Sequence, residues 1–143
     1  QTNEDGEELR RRGHEYGATT GRPRACGWLD LPALSYAYRM GGITHLILTK
    51  LDILSDFPHD IAVCTDYRYH DRDIRATDTL TTDVLKESQL AYTQFSPWSA
   101  TELSNLSHAP TVSEYLALVE KATGTVVGGI KTSPERNALH LFG

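Results

Sequence analysis

The sequence predicts an α/β fold with a partly parallel sheet under helices, and three observations carry that prediction. The run 43–51, ITHLILTKL, is almost continuously apolar, as suits a strand buried on both faces. Segments 31–40 and 111–123 place apolar residues at helical spacing. Strands and helices alternate through glycine-rich joins, the pattern of an α/β chain. With 143 residues, 39% of them hydrophobic, the chain has the length of one domain and can build a core without staples.

Each element has a local cause. Residues 4–12 set Glu and Asp ahead of three arginines, the charge order that favours a helix, with Gly13 as its expected stop. Residues 13–28, GHEYGATTGRPRACGW, hold four glycines, a proline and two adjacent threonines, and read as a structured loop. Asp30 is placed to cap a helix over 31–40, with Pro32 in its first turn, Leu34, Ala37 and Tyr38 as its apolar stripe, and Gly41 and Gly42 as its end. After the 43–51 strand, residues 61–69, IAVCTDYRY, predict a second strand. An Asp-rich turn at 70–73, extended through Arg75, makes it a small hairpin arm. Residues 82–87 suit a turn of helix and 91–95 a short strand, with Ser96, Pro97 and Trp98 as punctuation. Thr111 is the expected N-cap of the 111–123 helix, with Glu114 three residues on and Val112, Tyr115, Leu116, Val119 and Ala122 on its face. Gly124 closes that helix, and 126–130 and 138–142 are the last expected strands.

Composition narrows the function. The formal charge is −5, yet five of the ten arginines fall in the first 24 residues, at Arg10, Arg11, Arg12, Arg22 and Arg24. A basic patch within an acidic chain of only four lysines suits a small anion rather than nucleic acid. Cys26 and Cys64 show neither CxxC spacing nor a run with histidines, and the six histidines show no ligand spacing, so no metal site is expected from this chain. No stretch of about 18 apolar residues predicts a membrane span, and QTNEDGEELRRR has no signal-peptide core. The expected setting is the reducing cytoplasm. A first residue other than Met reads as a cut.

Three segments have chemistry to offer. In GATTGRPR, residues 17–24, the hydroxyls of Thr19 and Thr20, the amides around Gly17 and Gly21, and the guanidiniums of Arg22 and Arg24 can together hold carboxylate or phosphate oxygens. An ordinary solvated loop would use the same residues. TKLD, residues 49–52, stands at the end of the predicted buried strand and is close to the NKxD element by which P-loop GTPases read guanine. Asp52 can accept from guanine N1–H and its exocyclic amine while the stem of Lys50 lies on the base. A plain Lys and Asp at a sheet edge is the alternative. Lys131, Thr132 and Ser133, within KTSPER at 131–136, follow a short strand and suit either the other wall of a base pocket or a polar turn. There is no GxxxxGK[ST] loop, so any phosphate half of a nucleotide site would come from residues outside this chain.

The stretches GHEYGATTGRPRACGWLD and LTKLDIL, in this order and at this separation, resemble the C-terminal portion of adenylosuccinate synthetase, whose members carry text close to GHEFGTTTGRPRRCGWLD and LTKLDVL. The resemblance extends through IAVCTDYRY, Trp98, the helix around Tyr115 and KTSPER, and so covers nearly the whole chain. It implies the C-terminal part of a P-loop-NTPase-like, mostly parallel sheet flanked by helices. It also implies a ligase that joins IMP and L-aspartate at the expense of GTP, with Mg2+, in a cytoplasmic homodimer. On that scheme Ala18, Thr19, Thr20, Gly21, Arg22, Pro23 and Arg24 match the loop that closes over aspartate. Arg22 would also reach the IMP ribose and Arg24 the GTP. Lys50, Leu51 and Asp52 match the guanine element, and Lys131, Thr132 and Ser133 align with the segment usually written STGP. Here Lys131 and Ser133 replace its Ser and Gly, and Ala25 stands where a further arginine often occurs. The family's catalytic Asp and His, its metal ligands and its phosphate loop all precede this stretch, so the fragment alone is expected to be inactive. Two other readings are a viral-type relative that joins aspartate to dGMP, with ATP in place of GTP, and a non-catalytic nucleotide-binding module.

Overall fold

The computed structural model describes residues 3–74 and 78–142. Helix α1, Glu4–Gly13, begins at Asn3, whose side chain accepts from the Gly6 amide, and runs from three acids to three arginines. Its last helical residue is Gly13; the left-handed stop is His14 at φ 50°, one position beyond the expected glycine. The loop that follows ends in β1, Leu29–Asp30, two residues that sequence periodicity is too short to register. Asp30 then caps α2, Leu31–Gly41, by accepting from the Ala33 amide. Its buried face runs through Leu31 and Ser35, with Leu34 and Tyr38 beside them. Ala37 is exposed and leaves the expected stripe.

Strand β2, His45–Leu48, is shorter than the expected 43–51 run, and its burial alternates, with His45 and Ile47 outward. The expectation of burial on both faces is corrected: among the described residues, one face of β2 is covered and the other is exposed. β3, Ile61–Tyr69, turns through His70 and Asp71, both at positive φ, into β4, Arg72–Asp73. Arg75, the expected limit of this hairpin, lies outside the described residues. α3, Thr82–Glu87, is capped by Thr81, and β5, Gln89–Phe95, follows. α4, Ala100–Ser104, opens on a capping box between Ser99 and Glu102. α5, Pro110–Thr123, starts at Pro110, whose fixed φ suits a first helical position, and so displaces Thr111 from the expected cap. It buries Val112, Tyr115, Val119 and Thr123 and stops at Gly124, φ 69°. β6, Val126–Lys131, and β7, Leu139–Leu141, follow.

The strands make two sheets. In one, β3 pairs in parallel with β1 and antiparallel with β4 and β5; in the other, β6 pairs in parallel with β2 and antiparallel with β7. The mixture holds more antiparallel pairing than a mostly parallel sheet suggests, chiefly because β5 runs along β3 from Ile61 to Arg68. Helix α2 packs on β3, α5 on β6, and the two helices on each other, where Ser35 Oγ donates to the Ala122 carbonyl at 2.8 Å. Between them lies one apolar cluster that includes Leu31, Leu54, Ile61, Val63, Trp98, Val112, Val119, Val127 and Ile130. Among the described residues no helix is long and apolar enough to cross a membrane.

Candidate functional site

The parallel register of β2 and β6 sets Leu48 beside Ile130. The chain therefore leaves both strands at the same edge, and residues 49–52 and 131–133 emerge next to each other. Carboxyl ends of parallel strands are where open α/β sheets receive ligands. The apolar halves of β2 and β6, Leu46, Leu48, Val127 and Ile130, point into the core and fix this edge against α5.

Past β2, Lys50 adopts left-handed backbone, φ 63°, and leads into a 3-10 turn at Leu51–Leu54. That conformation costs a non-glycine residue about 1 kcal/mol or more, so neighbouring bonds must hold it. Lys50 Nζ donates to the Gly13 carbonyl at 3.0 Å and to the Glu15 carboxylate. Leu51 is buried, and its carbonyl accepts from Trp98 Nε1 at 3.2 Å. Arg12, on α1, donates to the carbonyls of Ile53, Ser55 and Asp56. The turn is thus pinned from below by Trp98 and from the side by α1. Asp52 is half-buried, and among the described residues its carboxylate has no hydrogen-bond or ion-pair partner. A held turn that leaves one carboxylate free is suited to accepting paired N–H donors.

The loop that holds Ala18, Thr19, Thr20, Gly21, Arg22, Pro23 and Arg24 is an exposed arch closed on itself. Tyr16 bridges Pro23, the Gly17 amide donates to the Arg22 carbonyl at 2.8 Å, and the Gly21 amide donates to the Gly17 carbonyl at 2.8 Å. Gly21 sits at φ 63°, where a side chain is strained. Thr20 Oγ1 accepts from the Arg22 amide at 3.4 Å. Among the described residues the Arg22 guanidinium has no partner, whereas Arg24 Nη1 donates to Glu15 Oε2 at 2.9 Å. The base of the arch is fixed by Arg24 N to the Glu15 carbonyl, 3.0 Å, and by Arg10 Nε to the Arg24 carbonyl, 2.7 Å.

Beyond β6, Lys131 Nζ donates to the Pro134 carbonyl at 3.1 Å, and the Thr132 amide and hydroxyl both donate to the Ala138 carbonyl. Ser133 Oγ accepts from the Glu135 amide at 3.3 Å and keeps its own proton to give. The fold therefore starts the 49–52 and 131–133 segments from adjacent strand ends, and ties Arg24 to Lys50 through Glu15. Among the described residues, no hydrogen bond joins Thr19, Thr20 or Arg22 at the arch tip to the 131–133 segment. Glu15, Arg12 and Trp98 support the site in ways their sequence positions do not announce, because each acts on a partner at least 35 residues away. The only local hint is that Glu15 borders the basic loop.

Hydrogen bonds from Lys50, and next from Arg24, hold the Glu15 carboxyl below the usual carboxylate range. Burial pushes the Cys64 thiol up to about 11, and both cysteines are free. Among the described residues no group of three or more His, Cys, Asp or Glu is placed to hold a metal ion.

Comparison with known proteins points throughout to one family. The family model described as adenylosuccinate synthetase matches residues 1–140. The adenylosuccinate synthetase of Chlorobaculum parvum is 42% identical over 137 residues, covering 94% of this chain and 31% of the relative. That of Halothermothrix orenii is 60% identical over 70 residues, 49% of this chain and 16% of the relative. A solved structure of fully ligated adenylosuccinate synthetase from Plasmodium falciparum superposes with a TM-score of 0.89 at 30% identity, covering 100% of this chain and 35% of that one. The chain thus spans about a third of the length of relatives that match it throughout. With the matched region running through nearly every residue, the chain belongs to the adenylosuccinate synthetase family.

Proposed function

We propose that this chain is the aspartate-clamping and guanine-reading part of a ligase that joins IMP to L-aspartate at the expense of GTP. The observation that carries the reading is the pinned turn at the carboxyl end of β2. It offers the Asp52 carboxylate, without a partner among the described residues, at the sheet edge from which the 131–133 segment also leaves, with the threonine-arginine arch tied to its Lys50. Asp52 accepts the two N–H donors of guanine, the Lys50 stem covers a face of the base, and Lys131, Thr132 and Ser133 close the pocket. Thr19 and Thr20 hold the carboxylates of aspartate together with Arg22 and Arg24, so that its amine faces the purine. Arg22 also reaches toward the IMP ribose and Arg24 toward GTP. Ala18, Gly21 and Pro23 shape the arch. The names of the relatives favour IMP over dGMP as acceptor.

Mg2+ would neutralise phosphate charge in such a reaction, but the described side chains form no metal-binding group. Its ligands, and the groups that activate phosphate, fall to the remainder of the enzyme. A place for that remainder is supported by the outer face of β2, β6 and β7, where Ile47, Val126 and Leu141 are 51%, 57% and 69% exposed. Apolar side chains clustered on one sheet face in this way mark a surface that another element covers. The same reading carries a cytoplasmic location and a homodimer, and light scattering on the complete enzyme tests the homodimer. The test of the base pocket is Asp52→Asn in a complete synthetase carrying this segment. Guanine nucleotides should weaken about tenfold or more, as for a buried charge-assisted pair, while IMP binding stays within about twofold. Equal losses for both ligands overturn the base-reading role.

A further inference from the structure

Among the described residues, Glu15 is the side chain that bonds both candidate subsites. Its Oε2 accepts from Arg24 of the arch at 2.9 Å and its Oε1 from Lys50 of the base-reading turn. The two cations are 61% and 48% exposed and Glu15 is 21% exposed. Ion pairs in such positions add little to fold stability, so their convergence calls for another account. Backbone bonds supply it. Residue 15 is fixed to α1 by its amide on the Arg10 carbonyl, 3.0 Å, and Arg24 is fixed to residue 15 by its own amide, 3.0 Å. The arch tip, by contrast, is bonded within itself, Gly17 to Arg22 and Gly21 to Gly17. Whatever holds the Glu15 side chain therefore sets the base about which the arch tip is carried.

We infer that Glu15 is a positioning residue that couples the two subsites: a base seated on Lys50 and Asp52 fixes Glu15, which fixes Arg24 and readies the arch for a dicarboxylate. The inference rests on the reading of 17–24 and 49–52 given above. Its sign follows from the geometry. One carboxylate oxygen serves each cation, so ordering Lys50 costs Arg24 nothing and removes freedom that the second ligand would otherwise have to remove. The coupling is reciprocal, and each ligand should change the other's affinity by the same factor.

The experiment uses a complete synthetase carrying this segment, with IMP omitted so that no turnover occurs. The dissociation constant of aspartate is measured with and without GTP, and that of GTP with and without aspartate. The native protein should show a factor of about five in both directions, and Glu15→Gln, which keeps the shape but loses the charge, a factor near one. A role confined to stability would lower the melting temperature and leave that factor at its native value. A native factor near one, or a full factor retained in Glu15→Gln, overturns the inference. Arg22→Ala and Asp52→Asn separate the two failures. If each weakens its own ligand while Glu15→Gln keeps full coupling, only the Glu15 role is lost. If neither affects its ligand, the assignment of the subsites fails first.

Discussion

Replacing Trp98 by Phe tests how the 51–54 turn is held. Trp98 is 1% exposed, its ring meets Tyr115 edge-on at 5.4 Å, and its Nε1 donates to the Leu51 carbonyl at 3.2 Å. Phenylalanine keeps an aromatic ring on Tyr115 but withdraws the donor, leaving the Leu51 carbonyl with only the internal bond of its 3-10 turn, at roughly 0.5–1.5 kcal/mol. The smaller ring also leaves a gap in a close-packed cluster, which adds about 1 kcal/mol. The sum, about 1.5–2.5 kcal/mol, corresponds for a chain of this size to a fall in melting temperature of roughly 6 °C. Urea unfolding followed by far-ultraviolet circular dichroism measures it, with an unchanged m value as the sign that the native and unfolded states are otherwise the same. Trp28→Phe is the control: Trp28 is half-buried and its indole donates no hydrogen bond among the described residues, so its loss should be smaller. A Trp98→Phe loss below about 1 kcal/mol, or one no larger than the control's, refutes the claim that this donor holds the turn.

Arg22→Ala in a complete synthetase should raise the aspartate KM about tenfold or more, because its guanidinium is free to reach a ligand, while Arg72→Ala, a residue paired with Asp78, should change it by less than about twofold; lysine at position 22 should restore only part. Gly129→Ala places a Cβ 2.7 Å from the His140 carbonyl, so β7 must shift from β6, which protease cleavage near the C-terminus should reveal. Cys64, buried and with its thiol pushed up to about 11, should alkylate much more slowly at pH 8 than half-buried Cys26, as read by mass spectrometry. Hydrogen bonds from Arg11 and Arg12 lower Glu8 from 4.5 to about 2, and Glu15 is lowered in the same direction. Depressed carboxyls contribute stability that is present above their unfolded pKa and lost on acidification, so the melting temperature should fall between pH 4.5 and about 2, less steeply in Glu8→Gln.

The sequence by itself determined the features that depend on neighbours along the chain. The acid-to-base order of α1, the Asp30 cap and Pro32 of α2, the apolar spacing and glycine stop of α5, and the turn-rich arch all follow from residues within a few positions of one another. Its long motifs were also enough to name the family that the comparisons bear out. Errors arose where a local signal was ambiguous: the apolar run 43–51 looks alike whether its far face meets protein or solvent, and Thr111 and Pro110 both suit a helix start until the backbone selects one.

Tertiary structure decided which distant groups meet. Parallel pairing of β2 with β6, across more than eighty residues, is what makes the 49–52 and 131–133 segments leave the sheet at the same edge. The reach of Lys50 back to Glu15, and of Trp98 to the Leu51 carbonyl, depends on how α1 and α4 settle against the 51–54 turn. Hydrogen bonds and ion pairs act over about 3 Å, and composition carries no information on separation in space. The sequence could say that an arch, a turn and a strand end had useful chemistry, but only the packed fold could join the arch to the turn through one carboxylate.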